Sequence, residues 1–197
     1  MQGWLALCVM FTFGCADAHE ADAPSASTPA QPSPAAASGP APAPAQERRA
    51  ITLFNTHTNK TVSVVFKNGN DFDAAALEQL NDVSLDHRSG ESHDMDPGLF
   101  DQLFELAHAC GVPPEFEIIS GYRSPASNAK MAAREGSGVA KKSLHMQGRA
   151  IDVRLRNCKT DRLRDLALEA KKGGVGYYAR SDFVHIDTGV FRTWTGK

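Results

Sequence analysis

The chain has 197 residues and a formal net charge of −2, and residues 50–197 carry 19 basic and 19 acidic side chains. A neutral domain lacks the basic surface that nucleic-acid binding requires, so we exclude nucleic acid as a partner. The 148 residues beyond position 49 are enough for one domain with a single hydrophobic core.

Residues 1–18 resemble an export signal, because an apolar run over residues 4–13 precedes several small residues. This run is too short to span a bilayer. Two processing sites stay open: a small-x-small cleavage site that ends at Ala18, and lipid attachment at Cys15, which follows glycine as in a lipobox. The lipid would tether the protein to a membrane. In either case we expect export to the periplasm or cell envelope.

Residues 19–49 are predicted to be a disordered linker. Seven of the eleven prolines lie within residues 24–44, among alanine and serine, and this stretch has neither a helix nor a strand period. We therefore place one folded domain over residues 50–197.

The folded part mixes helices and strands without a regular βαβ repeat. The predicted strands cover residues 51–66 as a hairpin, 116–120, 149–155, 175–178, 183–187 and 190–194. The predicted helices cover residues 73–80, 96–110, 124–135 and 160–172. We predict an α+β fold in which one small domain has a mainly antiparallel central sheet flanked by helices.

Two cysteines, Cys110 and Cys158, fall within this domain. In an oxidising compartment they can pair, and two buried thiols are the alternative. The absence of a Cys-x-x-Cys pair argues against a structural zinc site. The segment from Gly174 to Ala179 matches a dinucleotide-binding fingerprint, but it follows a helix and opens a strand, so we reject that interpretation.

Two histidines stand beside acidic residues in strand-like segments. His145 lies in a glycine-containing turn, Asp152 lies on the polar face of the next strand, and His185 lies on the polar face of a later strand. If those strands are neighbours, the three side chains form the ligand set of a hydrolytic zinc site. The structural alternative is a pair of half-buried strand histidines and a capping aspartate.

Several short motifs occur in the order found in the D-alanyl-D-alanine metallopeptidases and their murein endopeptidase relatives. The main signature reads Ser143-x-His145-x-x-Gly148-x-Ala150-x-Asp152, then Asp182-x-x-His185, with Ser120-Gly-Tyr-Arg123-Ser upstream. Residues 53–57, 85–88 and 95–97 are similar to the murein endopeptidase K branch. The resemblance covers about residues 51–194. It implies a hedgehog/DD-peptidase-like fold.

The resemblance also implies roles for five residues. His145, Asp152 and His185 would bind one Zn²⁺, Asp182 would be the general base, and Arg123 would stabilise the oxyanion at the scissile carbonyl. The implied activity is that of an exported zinc metallopeptidase, a murein endopeptidase that hydrolyses amide bonds in the peptide cross-links of peptidoglycan. Links between two diaminopimelate residues are the implied substrate. We rank Asp187 below Asp182 as the base and interpret it as a partner that orients His185.

Two other functions are consistent with parts of the sequence. A non-hydrolytic, zinc-containing wall-binding module would keep the three ligands without turnover, whereas an exported serine hydrolase would use Ser120 or Ser143 and resist chelators. The basic residues between Arg149 and Arg164 alternate with aspartates, which favours a solvated face. We expect a monomer, although the sequence carries no signal for the oligomeric state.

Overall fold

The structure is a computed structural model that describes residues 47–136 and 138–196. The predicted signal segment, Cys15 and residues 19–46 of the predicted linker lie outside the described residues. The described residues all fall within one compact unit. Within these residues, no helix is both long enough and apolar enough to cross a membrane.

One mixed sheet organises the described part of the chain. Its strands are β1 (Arg48–Asn55), β2 (Thr61–Asn68), β3 (Asp71–Phe72), β4 (Glu115–Ser120), β5 (Ala150–Leu155), β6 (Gly174–Tyr178), β7 (Phe183–Asp187) and β8 (Arg192–Thr195). They lie in the order β3-β2-β1-β4-β5-β7-β6-β8. The first strand starts two residues before the predicted domain boundary, because Arg49 forms ion pairs with Asp101 and Glu105.

The prediction of a mainly antiparallel sheet is confirmed only in part. Five of the seven neighbouring pairs are antiparallel, but β1 with β4 and β6 with β8 are parallel. A parallel pair needs a crossover connection. From β1 to β4 the chain passes through β2, β3 and two helices. From β6 to β8 it passes through β7.

The four predicted helices form, with shifted ends. They are α1 (Ala74–Val83), α2 (Pro97–Cys110), α3 (Pro125–Ala132) and α4 (Thr160–Ala170), and a 3-10 helix covers Leu144–Gln147. The Asp96 side chain accepts a hydrogen bond from the Gly98 backbone N–H at the start of α2, and Gly111 ends that helix with a φ of 75°. The third helix starts one residue later than predicted and ends three residues earlier, at Ala132.

The core lies on one face of the sheet, where α1, α2 and α4 pack against the strands. On β5, Ile151, Val153 and Leu155 are buried in this core. Alternation along a strand therefore places Asp152 on the opposite face, as the sequence pattern predicted. This second face carries the polar site described below.

A disulfide joins Cys110 at the end of α2 to Cys158 after β5, with Cα atoms 6.4 Å apart. Of the two possibilities left open by the sequence, pairing is the one that the structure shows. The bond ties the core helix α2 to the segment that leads into α4. It closes a loop of 48 positions.

We expect the double variant Cys110→Ser/Cys158→Ser to lose about 4 kcal/mol of unfolding free energy, because a loop of this length restricts the unfolded chain. Urea unfolding of the variant and of the wild type, each with and without a reductant, measures this loss. The reductant should destabilise the wild type alone. Equal stability of all four samples would contradict the prediction.

Candidate metal centre

The centre of the polar face is set by the pairing of β5 with β7. These strands are antiparallel, and their register places Asp152 opposite His185. The same row of the sheet continues to Ser120 on β4, and through Gly176 on β6 to Trp194 on β8. Five neighbouring positions, four of which carry side chains, therefore share one line across the sheet.

His145 reaches this row from the 3-10 helix that precedes β5. Its Nε2 lies 3.1 Å from Nδ1 of His185 and 3.3 Å from Oδ1 of Asp152, and His185 Nδ1 lies 2.9 Å from the same carboxylate oxygen. All three residues are buried. Within the described ranges, they are the one group of His, Cys, Asp and Glu side chains arranged to hold a metal ion.

The remaining ring nitrogens show which atoms carry protons. Nδ1 of His145 lies 2.7 Å from the carbonyl oxygen of Gly121, and Nε2 of His185 lies 3.0 Å from Oδ2 of Asp187. Each of these nitrogens donates to an oxygen, so in a neutral ring the nitrogen that faces the cluster bears a lone pair. When both rings are neutral, three electron-pair donors therefore face one another.

A metal cation can accept all three of these lone pairs, whereas a hydrogen-bond network would need additional protons between them. Tetrahedral zinc with ligand distances near 2.0–2.2 Å separates its ligand atoms by about 3.3 Å, close to the spacing in this cluster. Two imidazoles and a carboxylate, each imidazole held by an oxygen on its far side, are the donor set of hydrolytic zinc sites. The residues present thus fit Zn²⁺.

Charge in the cluster shifts the pKa values of its members. Burial alone would raise the pKa of Asp152, but the two imidazoles hold it well below its usual range. Burial lowers the pKa of His145. Burial also opposes protonation of His185, yet its hydrogen bonds to Asp152 and Asp187 outweigh this effect and raise its pKa. The carboxylate is therefore ionised and ready to bind a cation.

Arg123 lies beside this cluster, as the sequence prediction required. One Nη lies 3.8 Å from Oδ2 of Asp152 and donates to Ser120 Oγ, and the other donates to Asn128 Oδ1. The side chain is only 7% exposed, and its buried Nε has no hydrogen-bond partner among the described residues. Burial lowers the pKa of the guanidinium, against the pull of Asp152. A cation at this depth, with a donor to spare, is suited to an anionic ligand.

The segment that carries Arg123 is held by the buried Asp86, a residue to which the sequence analysis assigned no role. Asp86 accepts hydrogen bonds from the backbone N–H groups of Arg88 and Ser124, and Gly121 packs so close to Ser84 that a Cβ would lie 2.2 Å from its carbonyl oxygen. Asp86 lies within residues 85–88, one of the segments that resemble the murein endopeptidase K branch. That resemblance was the one sequence feature that pointed to Asp86.

Asp182 does not join the cluster. Its carboxylate accepts a 2.6 Å hydrogen bond from Thr160 Oγ1 and pairs with Arg154, and 65% of its side chain is exposed. It lines a polar pocket on the α4 side, whereas its neighbours Ser181 and Phe183 line the cleft that contains the cluster. Residue 182 has a left-handed backbone with a φ of 53°, so the chain turns there and carries the carboxylate away.

Asp187 forms a hydrogen bond with His185, consistent with its interpretation as the partner that orients this imidazole. It is completely buried and accepts hydrogen bonds from His185, from the backbone N–H groups of Gly174 and Gly189, and from Arg192. Burial would raise its pKa, but these donors hold the pKa well below its usual range. A carboxylate with all its lone pairs engaged is a positioning group.

The cluster opens into a cleft of about 530 Å³. Basic and aromatic side chains form much of its lining. Asp152 is the one carboxylate on its described walls. The lining includes Arg123, Lys142, Tyr178, Arg192 and Trp194. The cleft therefore suits a ligand with carbonyl or carboxylate oxygens.

Known proteins similar to this chain are peptidoglycan endopeptidases. Residues 43–194 match the Peptidase_M15_2 family, described as peptidoglycan L,D-endopeptidase MepK. The peptidoglycan L,D-endopeptidase MepK of Escherichia coli strain K12 is 42% identical over 146 residues, which cover 74% of this chain and 80% of the relative. The probable peptidoglycan L,D-endopeptidase MepK of Haemophilus influenzae is 39% identical over 149 residues, 75% of this chain and 80% of the relative. No solved structure gives a significant match.

We expect Asp187→Asn to weaken Zn²⁺ binding by about 10- to 100-fold, because the amide removes the negative charge that holds His185. Competition with a chromophoric chelator measures the zinc dissociation constant. Asp82→Asn, an exposed change on α1, is the matched control and should bind zinc like the wild type. An unchanged dissociation constant in Asp187→Asn would show that this carboxylate does not support the metal centre.

Proposed function

The chain belongs to the Peptidase_M15_2 family, and from this premise we propose that it is an exported zinc metallopeptidase that hydrolyses amide bonds in the peptide cross-links of peptidoglycan. The observation that carries the proposal is the convergence of His145, Asp152 and His185 in a buried cluster of electron-pair donors. These residues would hold the zinc ion, one per domain.

Bound zinc would supply a Lewis acid that lowers the pKa of water to about 7. The chain's own groups would orient the ligands and stabilise the developing charge. The Gly121 carbonyl and Asp187 hold the two imidazoles in fixed tautomers. Arg123 holds a buried positive charge next to the cluster, where negative charge develops on the carbonyl oxygen of an amide under attack.

Export is part of the proposal. The disulfide between Cys110 and Cys158 supports it, because such bonds persist in oxidising compartments. Peptidoglycan lies in the periplasm and cell envelope, where we place the protein. Residues 1–18 would direct export and end either in cleavage after Ala18 or in lipid attachment at Cys15, and residues 19–49 would form the linker that precedes the domain.

We propose Asp182 as the general base. A base must come within hydrogen-bond reach of the proton that it removes. This role requires the carboxylate to leave Thr160 and Arg154 and to turn toward the cleft. The turn at residue 182 is the point about which that movement would occur.

A wall-binding module without hydrolysis is the second candidate. One observation favours it: Asp152 is the one carboxylate on the described cleft walls, and Asp182 faces another pocket. Such a module would bind peptidoglycan through the same cleft and release no fragments. The two candidates therefore differ in turnover alone.

We expect the zinc-loaded protein to convert cross-linked muropeptide dimers to monomers, which mass spectrometry detects. A chelator should abolish this activity, and His145→Ala and Asp152→Ala should each lose bound zinc and activity together. Binding to intact peptidoglycan without cleavage of any dimer would favour the wall-binding module. Cleavage that resists the chelator would contradict the zinc mechanism.

We expect Asp182→Ala to keep its zinc and lose about 100-fold or more in kcat, the effect typical of removing a general base. Asp161→Ala is the matched control, because Asp161 is an exposed aspartate that lines the same polar pocket. Zinc analysis and steady-state kinetics on one purified dimer give both readouts. Full activity in Asp182→Ala would assign proton transfer to another group.

A further inference from the structure

An aromatic wall flanks the cluster on the β6 side of the cleft. The Tyr178 and Phe183 rings stack with centroids 4.4 Å apart and an interplanar angle of 16°. Trp194 Nε1 donates a 3.1 Å hydrogen bond to the Tyr178 hydroxyl oxygen, and the Trp194 ring lies 5.0 Å from the His185 ring. The Tyr178 hydroxyl is thus held at the cleft wall by two other aromatic side chains.

The glycines of β6 explain how this wall forms. Alternation along β6 places Gly174, Gly176 and Tyr178 on the cleft face. Gly176 stands between His185 and Trp194 in the register of the sheet, and a Cβ there would lie 2.5 Å from the Trp194 indole. Only glycine lets the indole lie across the strand and reach the tyrosine hydroxyl.

Hydrogen-bond chemistry assigns the direction of the bond between the two aromatics. An indole N–H donates only, so the Tyr178 oxygen accepts and its own O–H needs a different acceptor. Within residues 47–136 and 138–196, no protein group accepts from that O–H. The wall therefore presents one oriented donor to whatever occupies the cleft.

Arg123 shares this space with Tyr178. Both side chains line the cleft, together with His145, Asp152 and His185. Fixed donors aimed at developing negative charge are the main source of stabilisation in amide hydrolysis. The Tyr178 hydroxyl is thus a fixed donor in addition to the Arg123 guanidinium.

We propose that Tyr178 is a catalytic residue whose hydroxyl donates a hydrogen bond to the carbonyl oxygen of the scissile amide. The bond strengthens as negative charge develops on that oxygen, and no proton needs to be transferred. Trp194 is a positioning residue, because its one N–H donor is engaged by the Tyr178 hydroxyl. This inference rests on the proposed peptidase function.

The test compares Tyr178→Phe with Tyr177→Phe in the full chain, on one purified cross-linked dimer. Tyr177 is the matched control, because its ring lies under Arg164 on the opposite side of β6. We expect kcat of Tyr178→Phe to fall by about 100-fold while KM changes by less than about twofold, because the lost donor acts mainly in the transition state. Bound zinc should be unchanged, and Tyr177→Phe should match the wild type.

A second comparison separates catalysis from packing. Trp194→Phe keeps the tyrosine hydroxyl and removes the indole donor, so its loss of kcat should be several-fold smaller than that of Tyr178→Phe. A phosphinic analogue of the scissile amide should lose affinity for Tyr178→Phe by the same factor as kcat/KM, because such analogues mimic the transition state.

Three outcomes would overturn the inference. Wild-type kcat in Tyr178→Phe removes Tyr178 from the chemistry and leaves the proposed function intact. Equal losses in Tyr178→Phe and Trp194→Phe, with unchanged affinity for the phosphinic analogue, reduce Tyr178 to a packing role. An inactive, zinc-loaded wild type refutes the proposed function and this inference together.

Discussion

The antiparallel register between β5 and β7 is the constraint on which the metal centre depends. Side chains alternate between the faces of a strand, so a slip of one residue would move either Asp152 or His185 to the helix face. Burial of apolar pairs on that face holds the register, since Ile151 lies opposite Ile186 and Val153 opposite Val184. The hydrophobic core thereby positions the polar site on the other side of the sheet.

Two buried aspartates hold the loops on either side of that site. Asp187 collects donors from the β6 start, from the loop after β7 and from Arg192, while Asp86 collects donors from its own loop and from the start of α3. A buried charge is costly unless it is fully hydrogen-bonded. Each aspartate therefore favours one loop arrangement, and these arrangements orient His185 and the Arg123 segment.

Glycines on β6 leave the space that the side chains around His185 occupy. The glycine pattern of residues 174–179, which matches a dinucleotide fingerprint, instead makes room on β6. A Cβ at Gly174 would lie 2.4 Å from the Asp187 carboxylate, and one at Gly176 would meet Trp194. The same strand thus admits the group that orients His185 and the indole that reaches Tyr178. Both features lie on the polar face of the sheet, next to His185.

The sequence alone determined the four helices, most of the strands and the core face, because period and capping are local properties of the chain. It marked the three residues of the cluster as candidates, and the resemblance implied their role as ligands. It also marked residues 85–88 by resemblance, without a role for Asp86. Tertiary structure decided the two parallel strand pairs, the disulfide, the placement of Asp182 beside Thr160 and the hydrogen bond between Trp194 and Tyr178. These depend on which strands become neighbours and on the backbone turn at residue 182, and residues distant in sequence meet only when the whole sheet forms.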